Sequence, residues 1–134
     1  MITIDREFRI WAYTVSHGSL LLRSPITYPD INYVPGPGDF NIDIEFSAVS
    51  YLELPESMHG ISLREDSNNV PERLLRHLDD GLRVFEIRSQ GESYYVVAAN
   101  YLIGKNQWDS NTRLDDFFLE HDEIIALSSN SMSD

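Results

Sequence analysis

Apolar and polar residues alternate most regularly in residues 40–54. From position 41 to position 48, every even position is apolar and every odd position is polar. Because successive side chains of a strand point to opposite faces, this pattern predicts a β-strand with one buried face and one wet, acidic face. The alternation breaks near Ser50, where we expect a bulge or bend, and Pro55 ends the strand.

Two other regions predict β-hairpins. Residues 7–24 hold aromatic, β-branched and leucine residues on both sides of a turn that contains Gly18, and glycine readily adopts the positive φ that such turns need. Residues 82–103 are organised in the same way, and the run at 94–99 has no polar face, which is typical of a strand covered on both sides. A short strand is expected near residues 60–64.

One segment, residues 69–80, has the period of an amphipathic helix. Its apolar positions, Val70, Leu74, Leu75 and Leu78, fall on one helical face. Asn69 is in place as an N-cap with Glu72 three residues later, as in a capping box, and Gly81 follows as a helix stop. We therefore expect a helix that packs its apolar face on the sheet.

The other segments are irregular or ambiguous. Residues 25–39 contain four of the six prolines and predict a loop, and loops of this length are often functional or mobile. Near the C-terminus the apolar spacing fits both a helix and a strand. We expect a helical turn at residues 114–120, a strand at 123–127 and a frayed end at 128–134.

The order of these elements predicts a single α+β domain over residues 1–134. Most strands are joined by short turns, so the sheet should be mostly antiparallel and curved, with about six or seven strands. The helix over residues 69–80 covers part of it. A more strongly curved, partly closed sheet is the alternative.

Composition excludes several functions. The chain carries 22 acidic and 10 basic residues, a net charge of -12, and Lys105 is its single lysine. Nucleic acids and anionic membranes are recognised by clustered lysine and arginine, so neither is an expected partner. The absence of cysteine excludes disulfides and thiolate chemistry. No run resembles a signal peptide or a transmembrane helix, so a cytoplasmic location is expected.

The acidic residues themselves form a candidate site. Two groups stand out, the polar positions of the alternating strand and the acid-rich run near the C-terminus. The candidate interaction face consists of Asp43, Glu45, Asp115, Asp116, Glu120, Asp122 and Glu123. If the two groups lie on one side of the fold, they predict docking of a basic protein partner; otherwise the charge serves solubility.

A search for catalytic and metal-binding motifs favours a protein that is not an enzyme. The frames at 39–50 and 109–120 match parts of a calcium loop but lack its central glycine. The four histidines are not spaced as zinc ligands, and no nucleophile elbow or phosphate-binding loop occurs. We therefore assign no catalytic, cofactor-binding or metal-binding residue.

Three stretches carry a resemblance to a known group of proteins. They are Tyr13-Thr14-Val15-Ser16-His17-Gly18 with Leu20-Leu21-Leu22-Arg23-Ser24, Asn41-Ile42-Asp43-Ile44-Glu45-Phe46 with Leu54-Pro55, and Tyr94-Tyr95-Val96-Val97-Ala98-Ala99. Over most of residues 8–103 the chain resembles a family of small uncharacterised bacterial proteins, and the resemblance implies no activity and no catalytic residue. In size, charge and lack of motif the chain is also similar to the immunity proteins of bacterial toxin systems.

Three functional hypotheses follow. The first is a non-enzymatic interaction module, immunity-like or regulatory, with an acidic face for a basic partner. The second is a small-molecule-binding protein or enzyme with a pocket on the curved sheet under the loop at residues 25–39. The third is a homo-oligomer with a structural role.

Overall fold

Strands dominate the fold. The computed structural model describes residues 1–16, 18–27, 29–30, 32–66, 69–78, 81–107 and 123–128, of which 61% lie in strands and 4% in helix. The elements are β1 (Ile2–Thr14), β2 (Ser19–Ser24), β3 (Asn41–Ser47), β4 (Tyr51–Glu53), β5 (Ser57–Asp66), α1 (Glu72–Leu75), β6 (Arg83–Ser89), β7 (Glu92–Ala98), β8 (Asn100–Asn106) and β9 (Glu123–Leu127).

The strands form one open, antiparallel sheet of nine strands in the order β4-β7-β6-β5-β1-β2-β3-β8-β9. The prediction of a mostly antiparallel sheet is confirmed. The predicted number of six or seven strands is wrong, because two long segments that each read as one strand are bent into two. The first bend separates β3 from β4, and the second separates β7 from β8.

The two bends face each other. Ala99 N donates to Ser47 O at 2.9 Å, and Ser50 N donates to Val97 O at 2.8 Å, so backbone hydrogen bonds continue across the corner. Ala48 has φ of 54°, a left-handed conformation that turns the chain sharply. The bend predicted near Ser50 is thus confirmed, and its counterpart at Ala99 is what the sequence pattern did not reveal.

The sheet curls around its own core. Phe46 on β3 and Phe85 on β6 have ring centroids 5.8 Å apart, although their strands are four positions apart in the sheet order. Flat strands so separated would lie about 19 Å from each other. The concave face therefore encloses the main apolar core, and Tyr101 on β8 closes it with an edge contact to Phe85 at 5.3 Å.

Both predicted hairpins are present, formed by β1–β2 and by β6–β7. Gly18 in the first turn has φ of 62°, and a Cβ there would lie 3.0 Å from Val49 N. Gly18 O accepts a hydrogen bond from Val49 N at 2.8 Å. Glycine is needed here both for its backbone conformation and because the turn packs against the bend after β3.

The predicted helix over residues 69–80 is wrong in length. α1 spans Glu72–Leu75 only, with Pro71 at the N-cap position and no side-chain cap. Asn69, the expected cap, instead donates its backbone N–H to Asp66 Oδ1 at 3.0 Å. Leu74 nevertheless packs with Val84 and Val97 on the convex face of the sheet. The predicted strand at 123–127 is confirmed. The short strand predicted near 60–64 is part of the longer β5. The helical turn predicted at 114–120 lies outside the described residues.

Candidate functional site

Asp43 is buried in the middle of the sheet. It lies directly opposite Arg23 on the neighbouring strand β2. Arg23 Nε donates to Asp43 Oδ1 at 2.6 Å and Arg23 Nη2 donates to Oδ2 at 2.7 Å, and both side chains are 0% exposed. The assignment of Asp43 to an exposed acidic face is therefore wrong. Its carboxylate neutralises a buried guanidinium, the bidentate geometry that arginine and carboxylate favour.

A polar network extends from this pair to the start of the proline-rich loop. Asn106 donates its side-chain amide to Asp43 Oδ2 at 2.8 Å, and Asn41 donates to Asn106 Oδ1 at 2.8 Å. Asn41 Oδ1 accepts from Ile26 N at 2.8 Å. Buried polar groups need such partners, so the network holds the fold together and joins β3 and β8 to the loop.

The other candidate acidic residues are placed differently. Glu45 on β3 is half-buried and lines a shallow depression of about 290 Å³ together with Leu102 and Leu127. Glu123 on β9 is 63% exposed, with Lys105 Nζ 3.4 Å from its carboxylate. Leu102 on β8 pairs with Glu45 on one side and with Leu127 on the other, so the structure brings Glu45 and β9 to the same end of the sheet. The remaining four, Asp115, Asp116, Glu120 and Asp122, lie outside the described residues.

Most basic side chains are committed to contacts within the chain. Six of the ten basic residues form ion pairs with carboxylates: Arg9 with Glu7, Arg23 with Asp43, Arg64 with Glu86, Arg73 with Glu53, Arg83 with Glu65, and Lys105 with Glu123. Arg6 instead donates to the backbone oxygens of Ser24, Pro25 and Phe40. In the described part of the chain this leaves Arg76 and Arg88 outside these contacts, so few cations there can form a basic patch.

Among these surface pairs, the most buried carboxylate is that of Glu86, which lies 2.6 Å (Oε1) from Arg64 Nε. Burial alone raises the pKa of the Glu86 carboxyl, but hydrogen bonds from Ser93 and Arg64, together with the charge of Arg64, lower it by more, and the net shift is downward. Glu86 is therefore ionised at neutral pH. Its contacts with Arg64 and Ser93 tie β6 to β5 and β7.

Hydrogen bonds hold the loop at residues 25–39 in place, both within the loop and to Gln107, which follows β8. Tyr33 donates its hydroxyl to Asp39, whose Oδ2 also accepts from Gly36 N at 3.0 Å. The hydrogen bond from Tyr33, followed by that from Gly36, lowers the pKa of Asp39. Gln107 donates its side-chain amide to the carbonyl oxygens of Gly36 and Asp39 at 2.9 and 2.8 Å. These contacts fix the second half of the loop.

A small cleft lies beside this loop. It has a volume of about 200 Å³ and is lined by Arg6, Ile26, Thr27, Gly38, Asp39 and Phe40. Ligand pockets commonly occupy roughly 300–1,000 Å³. The guanidinium of Arg6 is already engaged with backbone oxygens and stacks 5.4 Å from the Phe40 ring centroid. The cleft is thus small and its one cation is used to hold the loop.

The β4 edge of the sheet is covered from within the chain. Arg73 donates two hydrogen bonds of 2.8 Å to the Glu53 carboxylate, and the His77 ring stacks on Tyr51 with centroids 4.1 Å apart. Ser50 Oγ donates to His77 O at 2.9 Å. The hydrogen bonds from Arg73 are the main reason that the pKa of Glu53 is lowered.

Among the residues that the structure describes, none covers the β9 edge in this way. Ile124, Ile125 and Leu127 are 46%, 38% and 63% exposed. Between Ile103 and Gly104 the register shifts by one residue, so that Ile125 is the extra residue of a β-bulge. Within the described part of the chain, no strand pairs with the outer side of β9. Unpaired edges with exposed apolar residues are sites of strand addition.

Sequence reasoning missed the residues that organise this region. Arg23 follows three leucines and reads as the end of a hairpin strand, and Asn41 and Asn106 carry no motif. One signal in the sequence could have identified Arg23, namely the fully apolar run that precedes it. Such a run indicates a strand covered on both faces, and an arginine within that strand requires a buried counter-charge. Within the described ranges no group of three or more acidic or histidine side chains is arranged to hold a metal ion. No helix in those ranges is long and apolar enough to cross a membrane.

Comparison with known proteins finds no matching family model, no similar curated protein and no similar solved structure. The resemblance of residues 8–103 to a family of small bacterial proteins therefore stays a prediction. The candidate site rests on the geometry of the chain alone: a buried ion pair that holds the sheet, one covered edge strand, and one edge strand with exposed apolar side chains.

Proposed function

We propose that the protein is a non-enzymatic interaction module, of the immunity-like or regulatory kind, that binds a basic partner protein. The observation that carries this proposal is the commitment of the basic side chains to internal contacts on a chain of net charge -12. A surface of this kind attracts cationic partners and repels nucleic acid and anionic membranes.

The docking residues within this proposal are Glu45 and Glu123 together with the acid-rich run that contains Asp115, Asp116, Glu120 and Asp122. Asp43 is not among them, since its carboxylate is fully buried against Arg23. The run precedes β9 directly in the chain, and the exposed carboxylate of Glu123 on β9 supports partner binding there.

The experiment is a pull-down with tagged protein from cells of the source organism, at about 50 mM and about 150 mM salt, because screening weakens contacts between exposed charges. Two variants with equal net charge are compared with the wild type. The cluster variant neutralises Asp115, Asp116, Glu120, Asp122 and Glu123, and the scattered variant neutralises Asp5, Asp30, Glu56, Glu72 and Glu92, all exposed.

We expect the wild type and the scattered variant to retain a basic protein that the cluster variant loses. Equal loss in both variants would mean that net charge alone attracts cations, without a defined face. Recovery of no basic protein at the lower salt concentration contradicts the proposal.

A further inference from the structure

The exposed edge of β9 provides a place where a second chain can add to the sheet. An edge strand presents unpaired N–H and C=O groups, and an extended segment that pairs with them gains main-chain hydrogen bonds as well as side-chain contacts. Three of the five β9 side chains, Ile124, Ile125 and Leu127, are apolar and at least 38% exposed. Apolar exposure at an edge favours pairing over solvation.

Proteins usually protect such edges with proline, with lysine, with a covering element or with a bulge. β9 contains neither proline nor lysine. Its bulge at Ile125 limits the ladder that an added strand can form to a short stretch. The edge is therefore suited to reversible pairing with a short segment rather than to extensive sheet growth.

Charge decides between the two occupants that fit this edge. A second copy of the chain would bring two molecules of net charge -12 together, each with an exposed Glu123 on the shared edge strand. Like charges juxtaposed in an interface oppose association. A basic segment would instead be attracted to this acidic protein. The charge therefore favours pairing with a different, basic chain over pairing with a second copy.

The depression beside β9 fits a long basic side chain. Leu102 and Leu127 form apolar walls, and Glu45 forms an acidic one, in a space of about 290 Å³. Lysine and arginine lay their aliphatic stems on apolar surface while the charged end reaches an anion. A strand added to β9 would place one side chain beside Leu127 on the same face of the sheet, next to this depression.

We propose that β9 takes up an extended segment of alternating apolar and basic residues, contributed by a partner protein, as an added strand of the sheet. This inference rests on the proposed function, because it names the site and the chemistry of the basic partner. The main-chain hydrogen bonds give the segment its extended shape, and the acidic surroundings select its basic side chains.

The test uses the full chain and two fluorescent peptides of roughly ten residues, one alternating lysine with valine and one alternating lysine with proline. The peptides carry the same charge, but proline fixes φ at about −65° and removes the N–H at every second residue, so the second peptide favours polyproline II over a strand that pairs with the edge. Binding is measured by fluorescence anisotropy at about 50 mM and about 300 mM salt. The protein variants are Ile125→Lys at the edge and Val34→Lys as the control, which changes the net charge equally at a site 81% exposed in the loop.

The expected result is binding of the lysine–valine peptide that weakens with salt, with about tenfold weaker binding of the lysine–proline peptide and about tenfold weaker binding by Ile125→Lys. Val34→Lys should bind nearly as the wild type does. Equal binding of both peptides overturns strand addition and leaves the proposed function standing. Binding of neither peptide at low salt overturns both.

Light scattering of the wild type measures its oligomeric state and so tests whether a second copy of the chain occupies the β9 edge. A dimer that Ile125→Lys abolishes would assign the edge to a second copy of the chain and overturn the inference. Circular dichroism checks that Ile125→Lys is folded; if it is not, the comparison of the two peptides on the wild type decides alone.

Discussion

The two edges of the sheet are protected to different degrees. At β4, three residues are covered by side chains that follow in the same chain, with Arg73 on Glu53 and His77 on Tyr51. At β9, three of the five residues are exposed isoleucine or leucine, and the Lys105 ammonium lies 3.4 Å from the Glu123 carboxylate. One edge is satisfied within the molecule, and the other has the features of a surface that another molecule satisfies.

The difference follows from where the basic residues are placed. The segment after β5 supplies Arg73 close to the β4 edge, whereas residues 115–123, which lead into β9, supply five acidic residues and no lysine or arginine. Substitutions in the interior of the sheet, at the covered edge and at the exposed edge test this contrast.

A substitution in the interior of the sheet should cause the largest loss of stability. Asp43→Asn leaves the buried Arg23 without its counter-charge, and removing one partner of a buried pair costs about 3–5 kcal/mol. Urea unfolding monitored by circular dichroism measures the loss. The control is Glu56→Gln, an exposed acid that should change stability by less than about 0.5 kcal/mol. Equal, small effects would mean that Asp43 does not hold the sheet.

The covered edge comes next. Leu74 is 0% exposed, and its neighbour Leu75 is 51% exposed. Leu74→Ala removes the contacts that seat α1 on Val84 and Val97 and should cost about 2–4 kcal/mol. Leu75→Ala should cost less than about 1 kcal/mol. If the two variants unfold at the same urea concentration, the short helix does not cover the edge by packing.

A smaller effect should come from the ion pair of the covered edge. Arg73 lowers the pKa of the Glu53 carboxyl, so the pair stabilises the fold above the ordinary pKa of glutamate, and this contribution is lost as the pH falls through the lowered pKa. Glu53→Gln should therefore be less stable than the wild type at neutral pH, and the difference should shrink in acid. Thermal unfolding between about pH 3 and pH 7 measures it. A difference that grows in acid would contradict the assignment.

The exposed edge should give the smallest change in stability. Ile125→Lys replaces a partly exposed side chain on an edge strand, and the expected cost is below about 1 kcal/mol because no strand is lost from the interior. The same urea experiment measures it. A loss as large as that of Leu74→Ala would show that β9 supports the core rather than serving as an accessible edge.

Local pattern predicted much of the sheet. The alternation at 41–48, the turn at Gly18 and the strand at 123–127 all correspond to observed elements. The sequence pattern predicted the bend near Ala48 but not the bend at Ala99. A bend between two strands depends on the strands opposite it, which a local pattern does not show. The helix is shorter than predicted because Pro71, and not Asn69, stands at its N-cap position, while the backbone N–H of Asn69 donates to Asp66.

The candidate site was predictable only in part. Alternation shows that Asp43 and the isoleucines face opposite sides of the strand, but it cannot show that the polar side is buried as well. Only the register between β2 and β3, which places Arg23 opposite Asp43, distinguishes a buried ion pair from a wet acidic face. Glu123, in contrast, is 63% exposed as the acidic face required, because β9 lies at the edge of the sheet.

Hydrogen–deuterium exchange with and without the lysine–valine peptide tests the central claim most directly. If β9 accepts the segment as an added strand, amide protection should rise in residues 123–127 and remain unchanged in residues 51–53 of the covered edge. Protection that rises at 51–53, or binding of the peptide with no protection at 123–127, would contradict the account.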